Sequence, residues 1–222
     1  MSRTLWARGG KRLFDVVAAT ALLALLSPLL LAAALLVKLT SPGPVFFRQD
    51  RGGWNGATFR LFKFRTMRGS RTPDPRELVP LDHPEITRVG WLLRRFKIDE
   101  LPQLFNVFRG DMSLVGPRPT LPDQVAAYDD FRRQRLLVRP GITGLAQVNG
   151  SAAISWDERI LFDIAYVRRC SLATDLGIFV RTLLVIAFGE RRATRPFRDS
   201  RYARFVSPPK DYGSDASVTN GD

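Results

Sequence analysis

The chain has 222 residues, enough for one domain with a real core and short for two. Hydrophobic residues make up 45% and charged residues 25%, a balance that favours a globular or membrane-associated protein over a disordered one, while a formal net charge of +13 calls for nucleic acid, anionic lipid or a phosphorylated small molecule as partner. One cysteine, Cys170, and one histidine, His83, leave no internal disulfide and no Cys/His zinc cluster, which fits a reducing compartment.

Residues 16–37 carry no charge. As a straight helix this run would be roughly 33 Å long at about 1.5 Å per residue, enough to cross a bilayer, so a single transmembrane anchor is one reading. Two features favour a re-entrant helix instead. Ser27-Pro28 sits in the middle, where proline removes a backbone hydrogen bond, and the Ser27 hydroxyl is placed to satisfy a group freed there. Both flanks are also basic, with Arg3, Arg8, Lys11 and Arg12 before the run and Lys38, Arg48 and Arg51 after it. Positive residues favour the cytoplasmic side, so two basic flanks place both ends there and put the turn at Ser27-Pro28. The cations ahead of the run would then meet anionic phospholipid headgroups.

Beyond it, residues 45–50 and 57–67 are rich in phenylalanine and β-branched residues and flank a Gly-rich turn, predicting a β-hairpin. On its second strand Phe59, Leu61, Lys63 and Arg65 share one face, whose cationic end suits an anion or solvent. Residues 68–84 read as a loop holding an exposed, non-catalytic His83, and residues 86–96 as a short helix ending in Arg94 and Arg95, where cations complement the helix dipole. Leu101, Leu104, Phe105 and Phe108 recur at i, i+3, i+4 and i+7, predicting a helix capped by Asp99 and closed by Gly110. Asp111 then orders the turn that follows. Residues 113–119 form a loop around Arg118, residues 121–137 another helix, and residues 139–144 a rigid turn. Residues 172–188 are mostly apolar and read as either a core helix or one lying on a membrane surface.

Asp99 and Glu100 are adjacent carboxylates following Arg94, Arg95 and Lys97. Spacing alone allows a simple helix cap. It also allows chemistry: nearby cations keep a carboxylate ionised, an ionised aspartate can attack phosphorus, and a second carboxylate can hold Mg²⁺.

Six segments narrow that choice: Lys11-Arg12-Leu13-Phe14-Asp15, Ser27-Pro28, residues 62–67 (FKFRTM), 98–103 (IDELPQ), 110–119 (GDMSLVGPRP) and 139–150 (RPGITGLAQVNG). Together and in this order they resemble the bacterial sugar transferase family, the monotopic phosphoglycosyl transferases. The resemblance implies that Asp99 attacks the β-phosphate of a UDP-sugar, expelling UMP, and that polyprenyl (undecaprenyl) phosphate then accepts the phosphosugar, initiating surface polysaccharide or glycoconjugate assembly. It implies Mg²⁺ held by Glu100 and Asp99, and contacts to phosphate or nucleotide from Lys63, Arg65, Arg94, Arg118, Arg139 and Gln147. It also implies an α+β fold, with a small hairpin and several amphipathic helices in a cytoplasmic catalytic domain at the bacterial inner membrane.

The expected division is a basic flank and re-entrant helix broken at Ser27-Pro28 over residues 1–40, a catalytic domain over 41–190, and a basic then polar, disordered tail over 191–222. The chain resembles the minimal form of the family. It departs at Ser151-Ala152, where arginine and asparagine are common, and at Lys97, where a small hydroxyl residue is common. Two rivals remain: a tethered module gripping anionic lipid or nucleic acid, and a glycosyltransferase releasing UDP. Arginines clustered in Gly/Pro-framed loops around one acidic pair disfavour nucleic acid.

Overall fold

The structure is a computed structural model and describes residues 6–68, 79–188, 196–209 and 212. Helices dominate, joined by two small sheets. Helix α1 (Lys11–Thr40) leads into the antiparallel hairpin β1 (Phe46–Gly52) and β2 (Thr58–Phe64), in which Phe46 pairs with Phe64 and Gly52 with Thr58. Then come α2 (Arg88–Arg95), a 3₁₀ turn (Ile98–Glu100), α3 (Gln103–Arg109) and the short strand β3 (Ser113–Val115). Two brief helices, α4 (Pro122–Ala126) and α5 (Asp130–Arg133), precede β4 (Gly141–Thr143), which pairs in parallel with β3. Two long helices follow, α6 (Trp156–Arg169) and α7 (Leu172–Phe188).

The core forms around α6. Ile160, Phe162, Ile164, Ala165 and Tyr166 are fully buried, so this helix is enclosed on every side. It packs on Leu114 and Val115 of β3 and on Leu145 and Val148. The expected tail is not disordered throughout: Phe197, Tyr202 and Val206 are buried in this same core, and the Phe162 ring meets those of Phe197 and Tyr202 edge-on. Residues 189–195, 210–211 and 213–222 lie outside the described residues.

Helix α1 is continuous from Lys11 to Thr40 with Pro28 inside it, so the expected break is absent as an interruption of helix. The local chemistry explains the tolerance. Pro28 has no N–H to offer the Ala24 carbonyl four residues back, and the Ser27 hydroxyl donates to that oxygen instead at 2.8 Å. One stripe of the helix, Asp15, Ala19, Ala33 and Val37, is buried against the body, while Leu13, Val17, Leu25, Leu29, Leu31, Leu35 and Leu39 stand exposed.

Both ends of α1 are fastened to that body. At the start Lys11 pairs with Asp175 of α7 at 2.7 Å, Arg12 donates to the Val107 and Phe108 carbonyls at 2.6 and 2.9 Å, and buried Asp15 accepts the Leu114 N–H. At the far end Arg65 donates to the Ser41 carbonyl and hydroxyl at 2.7 and 2.8 Å. Cations at helix C-termini satisfy orphan carbonyls and complement the dipole, so Arg65 closes α1 and Arg12 closes α3.

Three expectations shift. Residues 121–137 do not form one helix, because Asp129 accepts the Arg132 N–H and starts α5 afresh, with a 3₁₀ turn beyond it. Asp99 is not the cap of α3: it lies inside the 3₁₀ turn, and α3 starts only at Gln103, after Pro102. The face of α3 that packs inward is Gln103, Leu104, Asn106 and Val107, whereas Phe105 and Phe108 point outward. Buried Asn106 outcompetes the phenylalanines for the interior, because its side-chain amide donates to the Arg60 carbonyl and accepts from the Phe62 N–H of β2. Gly110 closes α3 in the left-handed region, Asn106 also donates to Asp111 in the turn, His83 serves a local turn by accepting the Glu85 N–H, and Cys170 is buried.

The chain leaving β3 meets the start of β4 at a glycine contact. A Cβ on Gly141 would stand 2.0 Å from the Gly116 nitrogen, which cannot move aside. Gly141→Ala should cost about 3 kcal/mol by overpacking. Gly177, inside α7 with open space around it, should gain about 0.5–1 kcal/mol as alanine. Thermal unfolding of both variants in detergent checks the pair, with opposite shifts expected.

Candidate active site

The site is assembled from four segments that meet beside the 3₁₀ turn. Lys97 adopts a left-handed conformation (φ 57°) and reverses the chain after α2, so that Asp99 and Glu100 face the end of β2. Lys63 reaches them from β2, Arg118 from the loop after β3, Arg94 from the last turn of α2, and Arg51 from the end of β1. Helix α2 lies flush against the chain leaving β2. A Cβ on Gly90 would stand 2.0 Å from the Thr66 carbonyl oxygen, and the Thr87 hydroxyl caps the helix by accepting the Gly90 N–H. That contact lets Arg94 donate to the Thr66 hydroxyl at 2.8 Å while its charge faces both carboxylates.

Glu100 is gripped from two sides. Lys63 Nζ lies 2.8 Å from Oε1, while Arg118 donates to Oε1 at 2.8 Å and to Oε2 at 3.4 Å. Burial alone would raise its pKa, but Arg118 and Lys63 outweigh that and hold it well below the usual carboxylate range. Asp99, 8% exposed, behaves oppositely. Burial and the charge on Glu100 push its carboxyl up, against the pull of Lys63, Arg94 and Lys97. Burial likewise depresses Lys63 and Arg94, with the two carboxylates opposing it, and brings Arg51 down to about 10, helped by the like charge of Arg118. Among the described residues, cations therefore outnumber the two carboxylates in a partly dry place.

Among the described residues no group of three or more acidic, histidine or cysteine side chains is arranged to cage a metal. Mg²⁺ does not require one, since it keeps waters and takes one or two carboxylates together with substrate phosphate. The Asp99 carboxylate accepts no hydrogen bond among the described residues, so its oxygens are available beside those of Glu100. The donor set fits that mode.

Lys63, Arg94 and Arg118 thus join Asp99 and Glu100, as their segments suggested. Arg65, Arg139 and Gln147 are held elsewhere. Arg65 closes α1. Arg139 lies at the opposite end of α3 from the acidic pair, donating to the Gly110 carbonyl at 2.9 Å and stacking on Trp54 at 4.5 Å. The Gln147 amide packs behind Gly144, its nitrogen and oxygen buried without a hydrogen-bond partner. Arg51 was missed by the sequence reading, which took it only as a membrane flank. Its one signal was its position directly before Gly52-Gly53, a Gly-framed arginine like the others. Beside the turn, Trp91, Leu92, Phe96, Phe105 and Phe108 are exposed.

Comparison with known proteins gives the chain's family. The family model for bacterial sugar transferases matches residues 6–189. The chain is 45% identical over 180 residues to an uncharacterized sugar transferase, EpsL, of Bacillus subtilis, covering 81% of this chain and 88% of that one. It is 49% identical over 186 residues to the UDP-glucose:undecaprenyl-phosphate glucose-1-phosphate transferase of Caulobacter vibrioides, covering 78% and 68%. The Escherichia coli protein of the same name is 41% identical over 185 residues, covering 78% of this chain and 39% of its own length. On these grounds the chain belongs to the bacterial sugar transferase family.

Proposed function

We propose that this protein transfers a sugar 1-phosphate from a UDP-sugar to polyprenyl (undecaprenyl) phosphate, releasing UMP through a covalent aspartyl-phosphosugar intermediate. The observation that carries this reading is the Asp99–Glu100 pair set in a cradle of cations from β1, β2, α2 and the loop after β3, a surround that suits a diphosphate. The Caulobacter vibrioides and Escherichia coli relatives bear the name of this reaction with glucose as the sugar.

In the first step an Asp99 carboxylate oxygen attacks the β-phosphorus of the donor. An acyl-phosphate P–O bond forms and the bond from the β-phosphorus to the bridging oxygen breaks, so the electron pair leaves with UMP. Lys63, Arg118 and Arg51 are placed to receive the diphosphate, the arginine forks matching phosphate oxygens. In the second step an oxygen of the carrier phosphate attacks the same phosphorus. The acyl-phosphate bond breaks, Asp99 is regenerated as a carboxylate, and a diphosphate-linked lipid results. Asp99 and Glu100 would hold Mg²⁺ against the donor, where the ion supplies neutralisation of diphosphate charge. Burial raises Asp99, while Lys63, Arg94 and Lys97 favour its anionic, attacking form.

The lipid carrier has to arrive from a membrane, and the exposed surface supports that. The outward face of α1 is apolar, Phe96, Phe105 and Phe108 stand exposed beside the acidic turn, and α7 exposes Leu176, Phe179, Val180, Leu183 and Leu184. Charged side chains fasten both ends of α1 to one body, whereas a crossing helix would separate its ends by the bilayer. We therefore read α1 as entering and leaving on one face, the cytoplasmic face of the bacterial inner membrane, with Ser27 and Pro28 at its deepest point.

Purified protein in detergent, given Mg²⁺, undecaprenyl phosphate and a panel of UDP-glucose, UDP-galactose and their N-acetyl derivatives, should release UMP with one donor. Asp99→Asn should abolish release, a fall of at least about 10³-fold, without lowering the unfolding temperature, because a neutral side chain suits that buried position better than a charge. UDP in place of UMP would mark a conventional glycosyltransferase. Topology has its own check: Gly10→Cys and Lys38→Cys, made separately, should both resist a membrane-impermeant maleimide in intact cells and react after permeabilisation, against a background kept low by buried Cys170. Labelling of one of them from outside would mean that α1 spans.

A further inference from the structure

Arg135 is 3% exposed and takes no part in the chemistry described so far. Its guanidinium nevertheless makes three hydrogen bonds near the site. Nη2 donates to the carboxylate of Asp163 on α6 at 2.6 Å and to the main-chain carbonyl of Arg118 at 2.8 Å. Nη1 donates to the Tyr128 hydroxyl at 2.6 Å, which itself pairs with the Thr120 hydroxyl at 3.0 Å. The Thr120 carbonyl accepts the N–H of Gly52 at 2.8 Å, and Gly52 follows Arg51 directly. Trp156 and Tyr128 flank the cation with ring centroids 5.5 and 5.7 Å away.

Two arginines of the cradle therefore have their backbones set from one buried fork. The need is physical. The Arg118 side chain is half exposed, long and flexible, so its charge is fixed in space only as well as its main chain is fixed. A buried ion pair adds little net stability over a well-packed apolar pair, so stability alone does not account for Arg135–Asp163. Lysine would keep the charge yet lack the planar fork that reaches three acceptors in different directions.

We infer that Arg135 is a positioning residue for phosphosugar transfer, holding the Arg118 carbonyl and, through Tyr128 and Thr120, the turn after Arg51, so that both cations stand ready for the donor diphosphate. The inference rests on the proposed reaction. Asp163 serves it by keeping the Arg135 guanidinium oriented, and Tyr128 by carrying its reach to the hairpin.

The test is a double-mutant cycle read as UMP release, using the UDP-sugar that the wild-type enzyme turns over best. Arg135→Lys should lower kcat/KM by about tenfold or more, chiefly through KM. The paired change Arg135→Met with Asp163→Leu, which removes both charges and leaves neither unpaired, should unfold no earlier than wild type and show the same loss. In an Arg118→Ala background, adding Arg135→Lys should lower kcat/KM by no more than about threefold, because only the arm through Arg51 is left for it to act on. Wild-type kcat/KM in either folded Arg135 variant overturns the inference. So does a full tenfold loss on top of Arg118→Ala, which would make Arg135 a general structural support. No UMP from the wild-type enzyme with any donor overturns the reaction itself and the inference with it, a failure seen before any variant is made.

Discussion

Two adjacent carboxylates buried side by side repel each other and lose water, and neither cost is tolerable unless cations meet them. Asp99 and Glu100 impose that requirement, and much of the architecture reads as its consequence. No single element supplies the cations. Lys63 and Arg51 come from the two strands of one hairpin, Arg94 from α2, and Arg118 from the loop after β3. The parallel pairing of β3 with β4 and the glycine crossing at Gly116 and Gly141 hold that last loop in place. The outcome is asymmetric. Glu100, gripped by Lys63 and Arg118, stays ionised, while Asp99 accepts no hydrogen bond among the described residues and has its charge only partly compensated. A fixed anion beside an uncommitted one suits a pair in which one member organises and the other reacts.

The arginines outside the cradle have a different task. Arg65 satisfies the end of α1, and Arg12 and Arg139 satisfy carbonyls where α3 closes. These contacts fix an apolar helix with an uncovered face to the body that carries the site, and they do so at both of its ends. The acidic turn and the exposed phenylalanines of α3 consequently lie close to the surface that α1 presents. A long lipid carrying a phosphate at its end needs that geometry: an apolar approach next to a cationic one.

Much of this was legible in the sequence because it depended on local chemistry. The hairpin followed from phenylalanine- and β-branched-rich runs around a Gly-rich turn, α7 from its mostly apolar length, and the acidic pair from its basic neighbours. Even the Ser27 hydroxyl was foreseeable, since proline frees a defined carbonyl and serine stands next to it. What the sequence hid was long-range competition. Arg65 and Arg139 carry the same side chain as Arg118, and only the tertiary fold decides which arginine meets a helix end and which meets Glu100. The i, i+3, i+4, i+7 pattern through Phe105 and Phe108 implied an inward face, yet Asn106 took the interior because it bonds the backbone of β2. Phe197, Tyr202 and Val206 sat in a basic stretch that composition marked as tail, and their burial against α6 depends on a partner distant in sequence.

The account turns on Asp99 as the atom donor to phosphorus. Intact-protein mass spectrometry of the enzyme incubated with Mg²⁺ and its UDP-sugar, without lipid carrier, tests this most directly. The account predicts a mass increase equal to one phosphosugar, localised to the peptide containing Asp99 and discharged when undecaprenyl phosphate is added. An unmodified enzyme that still transfers the phosphosugar once carrier is present would contradict it, as would an adduct on any other residue.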